Sequence, residues 1–100
     1  MTSAYQLLTH SRRIEKTVHR VLDRLTPPQR ENLEQTLRKD PKGTAATHWT
    51  IKKVKKDVWQ CDLPDGYRLA YTVLDRPSKT VLILFAGDHD DAATFLRGKR

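Results

Sequence analysis

The sequence predicts an α+β fold: a small antiparallel sheet of about four strands, with a two-helix hairpin packed on one face and a short C-terminal helix or tail. A change of pattern predicts it. Up to Lys39, apolar side chains recur at three- and four-residue steps, the period of a helix. From Val58 onward they alternate or run together between turn signals, the period of strands. A chain of 100 residues buries only roughly 60–70% of its unfolded surface. That supports one core, so residues 1–100 read as a single domain.

Tyr5-Gln6-Leu7-Leu8-Thr9 is compatible with a first strand. Ser11 suits a helix N-cap. After it, Ile14, Val18, Val21, Leu22 and Leu25 line one helical face, while Arg12, Arg13, Lys16, Arg20 and Arg24 occupy the other. Thr26-Pro27-Pro28-Gln29 opens a second helix. Thr26 is the N-cap, Pro27 the first helical residue, and Gln29 completes a capping box by reaching back. This helix should run to about Lys39, burying Leu33 and Leu37, until Asp40-Pro41-Lys42-Gly43 stops it. So short a connection between the two helices makes a hairpin.

Thr44 to Thr50 reads as a loop. Val58 to Leu63 reads as a strand, and Pro64-Asp65-Gly66 as the turn after it, since Pro presets φ and Gly accepts a positive φ. Tyr67, Leu69, Tyr71 and Val73 then alternate with Arg68, Ala70, Thr72 and Leu74. Asp75 to Lys79 is a second turn. Thr80 to Ala86 is nearly all apolar, as a central strand covered on both faces would be. The expected order is β-α-α-β-β-β, ending in an antiparallel meander. Trp59 and Tyr71 are expected in the core. The face of the sheet away from the helices, with Gln60, Asp62 and Arg68, is expected to be open.

Charge carries the functional signal. Lys and Arg number 19 against 12 Asp and Glu, a net charge of +7, and the isoelectric point is near 9.9. A basic domain of this size either binds a polyanion or is simply well solvated. The cations cluster at Arg38, Lys39, Lys42, Lys52, Lys53, Lys55 and Lys56, and again at Arg97, Lys99 and Arg100. No apolar run approaches the ~20 residues needed to cross a bilayer. No basic and apolar leader suggests secretion. The lone Cys61 cannot form an internal disulfide, and no Cys/His spacing suggests zinc. A cytoplasmic, reducing setting is the expectation.

Three stretches carry a resemblance: the lysine-rich Ile51–Lys56, then Gly66-Tyr67-Arg68-Leu69-Ala70-Tyr71, and the apolar strand that ends in Gly87-Asp88-His89-Asp90-Asp91-Ala92. In this order they resemble the RelE/ParE superfamily of toxins from bacterial and archaeal toxin–antitoxin pairs, over essentially the whole chain. The resemblance implies a strand-helix-helix-meander fold and neutralisation by a cognate antitoxin, expected to be acidic. For a RelE-like member it implies cleavage of mRNA, usually on the ribosome and without an obligatory metal or other cofactor. A ParE-like member would instead inhibit DNA gyrase, so that DNA is met only indirectly. A catalytically inactive RNA-binding module is the remaining alternative. RNA is the favoured target, and no membrane partner is implied.

Cleavage at a 2′-hydroxyl needs a base, an acid and cations for the phosphoryl charge. Arg68 matches the sheet arginine that contacts the scissile phosphate in that family; its bland role is an ion pair with Asp62 across the hairpin. His89, two residues past Gly87, is the candidate acid or base; its bland role is a solvated turn residue. Lys52, Lys53, Lys55 and Lys56 are candidate phosphate contacts, or else a solvated loop. Phe95 is a candidate for stacking on a base, standing where ribonuclease members carry a tyrosine. Gln60, Cys61 and Asp62 stand where those members carry lysines, which puts catalysis in question.

Overall fold

The computed structural model describes residues 4–44, 49–76, 78–88, 90–91 and 94–95. Helix α1 (Arg12–Leu22) begins where Ser11 lends its hydroxyl to the Ile14 N–H, at 3.2 Å. Helix α2 (Pro27–Lys39) begins at the full capping box: the Gln29 N–H donates to the Thr26 hydroxyl, and the Thr26 N–H donates to Gln29 Oε1 at 2.9 Å. Orphan N–H groups at both helix starts are thereby satisfied. The chain reverses between the helices, and Arg30 ties the hairpin by reaching Asp23 at 2.8 Å and His19 at 3.3 Å.

Strands β1 (Gln6–Thr9), β2 (Thr50–Lys55), β3 (Val58–Asp62), β4 (Arg68–Leu74) and β5 (Thr80–Gly87) form one sheet in the order β1-β5-β4-β3-β2. The sheet has five strands where about four were expected, and it is mixed, because β1 lies parallel to β5 while the other pairs are antiparallel. Hydrophobic alternation records which face a residue takes and is silent on which strand lies beside it. The two helices carry the chain from β1 at one edge of the sheet to β2 at the other, and β1 gains its parallel partner only when the meander returns as β5.

The extra strand is β2, in a segment read from sequence as loop and solvated lysines. A register shift between Lys53 and Lys55 places Ile51 and Val54 three apart rather than two, which hides the strand period. Between β3 and β4, both Asp65 (φ 63°) and Gly66 (φ 79°) take the left-handed conformation.

Both helices pack on one face of the sheet. Val18, Val21, Leu22, Leu33 and Leu37 meet Cys61, Leu69, Tyr71, Val81 and Ile83 in a single cluster, with Trp49 at its edge. Tyr71 is fully buried and donates its hydroxyl to the Pro41 carbonyl at 2.6 Å. This bond ties the end of α2 to the middle of the sheet.

Candidate nucleic-acid interface

On the face away from the helices, cross-strand register builds two rows. Thr50, Asp62, Arg68 and Gly87 stand side by side in one, and Lys52, Gln60, Ala70 and Phe85 in the next. Lys55 lies opposite Val58, which alternation puts on the same face. Arg68, Lys52 and Lys55 therefore share a surface. Lys53 does not. It is paired with Trp59, on the helix-covered side, and its ammonium lies 6.0 Å from the Trp59 ring centroid. Lys56 sits with Asp57 in the β2–β3 turn, Asp57 being left-handed (φ 61°). The lysine cluster expected from sequence thus divides between two faces and a turn.

Arg68 forms the ion pair that was its bland alternative, with Nη1 3.2 Å from Asp62 Oδ1 and both side chains partly exposed. Gln60 donates from Nε2 to the same oxygen at 3.3 Å, so Oδ1 holds both neighbours. Gln60 and Ala70 are buried although they face away from the helices. Phe85, the cross-strand partner of Ala70, carries the Phe95 ring stacked on it at 5.0 Å between centroids and 14° between planes. The Phe95 ring, expected to stack on a base, is stacked here on the protein's own Phe85.

Gly87 stands directly across from Arg68 and has no room for a side chain, since a Cβ there would meet the Phe85 ring at 2.7 Å and Asp91 Cβ at 3.0 Å. Just beyond it the Asp91 N–H donates to Asp88 Oδ1 at 2.8 Å. The candidate His89 lies outside the described residues. Among the described residues, no group of three or more His, Cys, Asp or Glu could hold a metal ion. No helix among them is long and apolar enough to cross a membrane.

Cys61 points into the core. Burial, with Asp62 beside it, pushes its thiol up to about 12, so it stays a neutral, unreactive thiol near neutral pH. Burial likewise raises the Tyr71 hydroxyl, which remains a hydrogen-bond donor. Two aromatics carry cations: the Arg24 guanidinium lies 4.7 Å over Tyr67, next to Arg68, and the Lys79 ammonium 4.8 Å over Tyr5.

A helical hairpin on one face of a five-stranded sheet, with basic side chains on the other, defines a small α+β domain with a cationic open face. No family model matches the chain, and no curated protein matches it. The solution structure of the conserved hypothetical protein HP0892 from Helicobacter pylori is similar, with a TM-score of 0.57 at 16% identity. The match covers 88% of this chain and 98% of that one. At this identity the likeness is one of fold.

Proposed function

We propose that this protein is a RelE-like, RNA-directed toxin of a toxin–antitoxin pair, which holds the sugar–phosphate chain of mRNA on the open face of its sheet. The observation that carries the reading is the sharing of that face by Arg68, Lys52 and Lys55, in adjoining cross-strand rows. Arg68 takes the phosphate nearest the reacting centre, because a guanidinium can hold two phosphoryl oxygens at once. Lys52 and Lys55 hold flanking phosphates as point charges, with an affinity that salt weakens.

For cleavage, the 2′-hydroxyl gives its proton to a base as its oxygen attacks the adjacent phosphorus to form a 2′,3′-cyclic phosphate, and the 5′-oxygen leaves with a proton from an acid, His89 being the candidate for one of these roles. Arg68 would have to exchange Asp62 for the phosphate, drawing its charge away from a carboxylate that otherwise repels the substrate. Binding without cleavage is the second reading, and this same ion pair favours it. A cognate antitoxin with acidic segments would compete for the same cations.

Induced expression followed by mapping of mRNA 5′ ends tests the proposal. New ends in wild type that disappear in Arg68→Ala are expected for cleavage. Arrested growth with intact transcripts would move the reading to binding alone, or to gyrase if DNA damage appears. Unimpaired growth would remove the toxin reading.

A further inference from the structure

Helix α1 turns its apolar side, with Val18, Val21 and Leu22, into the core. Arg12, Arg13, Lys16 and Arg20 fall within roughly 100° of arc on the opposite side, in a row that rises about 12 Å along the helix. All four are exposed. Among the described residues, none of these four side chains forms an ion pair. The one acid within the helix, Glu15, lies off the arc and 3.8 Å from His19. Asp23, at the C-cap, is held by Arg30 at 2.8 Å. Arg24 does not belong to the row, because its guanidinium lies over Tyr67.

This arrangement works against the helix that carries it. Arg12 and Lys16, and again Lys16 and Arg20, are like charges four residues apart, which repel. Arg12 and Arg13 also occupy the first turn, where the helix dipole disfavours cations. Helix α2 is built the other way. Its Arg30 pairs with Glu34 at 3.5 Å, and its Arg38 and Lys39 lie in the last turn, where the dipole favours them. A surplus of base spread for solubility would not treat the two helices so differently. The cations of α1 are gathered against its own stability, which marks that side for an anionic partner.

The partner's chemistry follows from what the arc lacks. Between Arg12 and Arg20 the apolar residues are Ile14 and Val18, both packed in or against the core, and none is Phe, Tyr or Trp. A protein interface has an apolar centre rich in aromatics. A lipid surface takes up apolar side chains beside the cations. Single-stranded nucleic acid is held by cations interleaved with aromatic platforms. A double helix has its bases already stacked and its phosphates already in rows, so cations alone suffice. We infer that the outer side of α1 is a docking surface for double-helical RNA, separate from the open face of the sheet. The sheet lies between the two surfaces, so either can be occupied without the other. The inference goes beyond the reading above in residues and in ligand, and rests on it only in naming RNA rather than DNA.

The test uses the full chain with a blunt RNA hairpin longer than one helical turn, a DNA hairpin of the same sequence, and a uridine octamer. The triple variant Arg12→Gln, Lys16→Gln, Arg20→Gln keeps good helix formers. It should melt no lower than wild type, since repulsion is removed. It should bind the RNA hairpin about tenfold or more weakly, with a log–log salt slope smaller by about 2.7, three duplex phosphate contacts. Its binding of the octamer should change by less than about twofold, whereas Arg68→Ala should weaken the octamer and leave the hairpin within about twofold. An unbound hairpin, a hairpin that the triple variant holds as tightly as wild type, or equal losses for hairpin and octamer would overturn the inference. A DNA hairpin bound about tenfold more tightly than the RNA one would overturn the assignment to RNA. An octamer that fails to bind while the hairpin behaves as stated would remove the open-face reading and leave the α1 surface standing.

Discussion

On the helix-covered face of the sheet, Cys61, Leu69, Tyr71 and Val81 are wholly buried; on the other face, Asp62 and Arg68, their neighbours along β3 and β4, keep 35% and 24% of their side chains exposed. Alternate residues of the same strands thus meet opposite demands. The covered side is apolar, close-packed and intolerant of lost volume. The open side places its polar groups in pairs that water can partly replace. Stability and function are therefore separable here by parity along a strand, and substitutions one residue apart should have different readouts.

The largest difference is expected in stability. Leu33→Ala or Leu69→Ala, each removing a fully buried side chain, should lower the unfolding free energy by about 2–5 kcal/mol in urea titration. Arg68→Ala should change it by no more than about 1 kcal/mol, since a partly exposed ion pair contributes little. Equal losses at Leu69 and Arg68 would erase the distinction between the faces.

Alkaline pH weakens the covered face through its buried thiol. The folded Cys61 thiol titrates at about 12, against 9.0 for an unburied thiol. Between those values the unfolded chain has released a proton that the native chain retains, so stability falls as pH rises from 9 toward 12. Tyr71, raised in the same sense, adds to that decline. Cys61→Val should make the slope of stability against pH shallower across this window. A thiol reagent at pH 8 should leave native Cys61 unmodified and label it fully in denaturant.

Tyr71→Phe sharpens the comparison at smaller amplitude. It leaves the Pro41 carbonyl without its hydroxyl donor, and should cost about 1–3 kcal/mol by thermal melting. The smallest effect contrasts two consecutive lysines. Lys52→Ala should reduce the salt dependence of RNA binding by about 0.7 in log–log slope, one phosphate contact on a single strand. Lys53→Ala, on the Trp59 side, should leave that slope unchanged. Identical slopes for the two variants would mean that the lysines act as a diffuse cloud rather than by face.

Local chemistry was the most legible part of the sequence. Ser11, the Thr26/Gln29 capping box, the stop after Lys39 and the turn at Pro64–Gly66 are each carried by a few consecutive residues, and each appears in the structure. Strand β2 was not legible, because its bulge breaks the two-residue period and its lysines lower its apolar content. The parallel pairing of β1 with β5 joins residues more than seventy positions apart, and no local pattern encodes such a partner. For the site, alternation alone placed Gln60, Asp62 and Arg68 on the open face. It could not divide Lys52 from Lys53, because that division depends on the register of a strand the pattern concealed.

The sequence by itself determined where the helices begin and end, which side chains are apolar enough to need cover, and that the molecule carries a surplus of cations. Those properties reside in short stretches of chain and in composition. Tertiary structure alone decided which strand pairs with which, that Asp62 and Arg68 meet across β3 and β4, that Phe95 lies on Phe85, and that a cavity opens beside Trp49. Each of these brings together groups distant in sequence, and their meeting depends on how the whole sheet is ordered and covered.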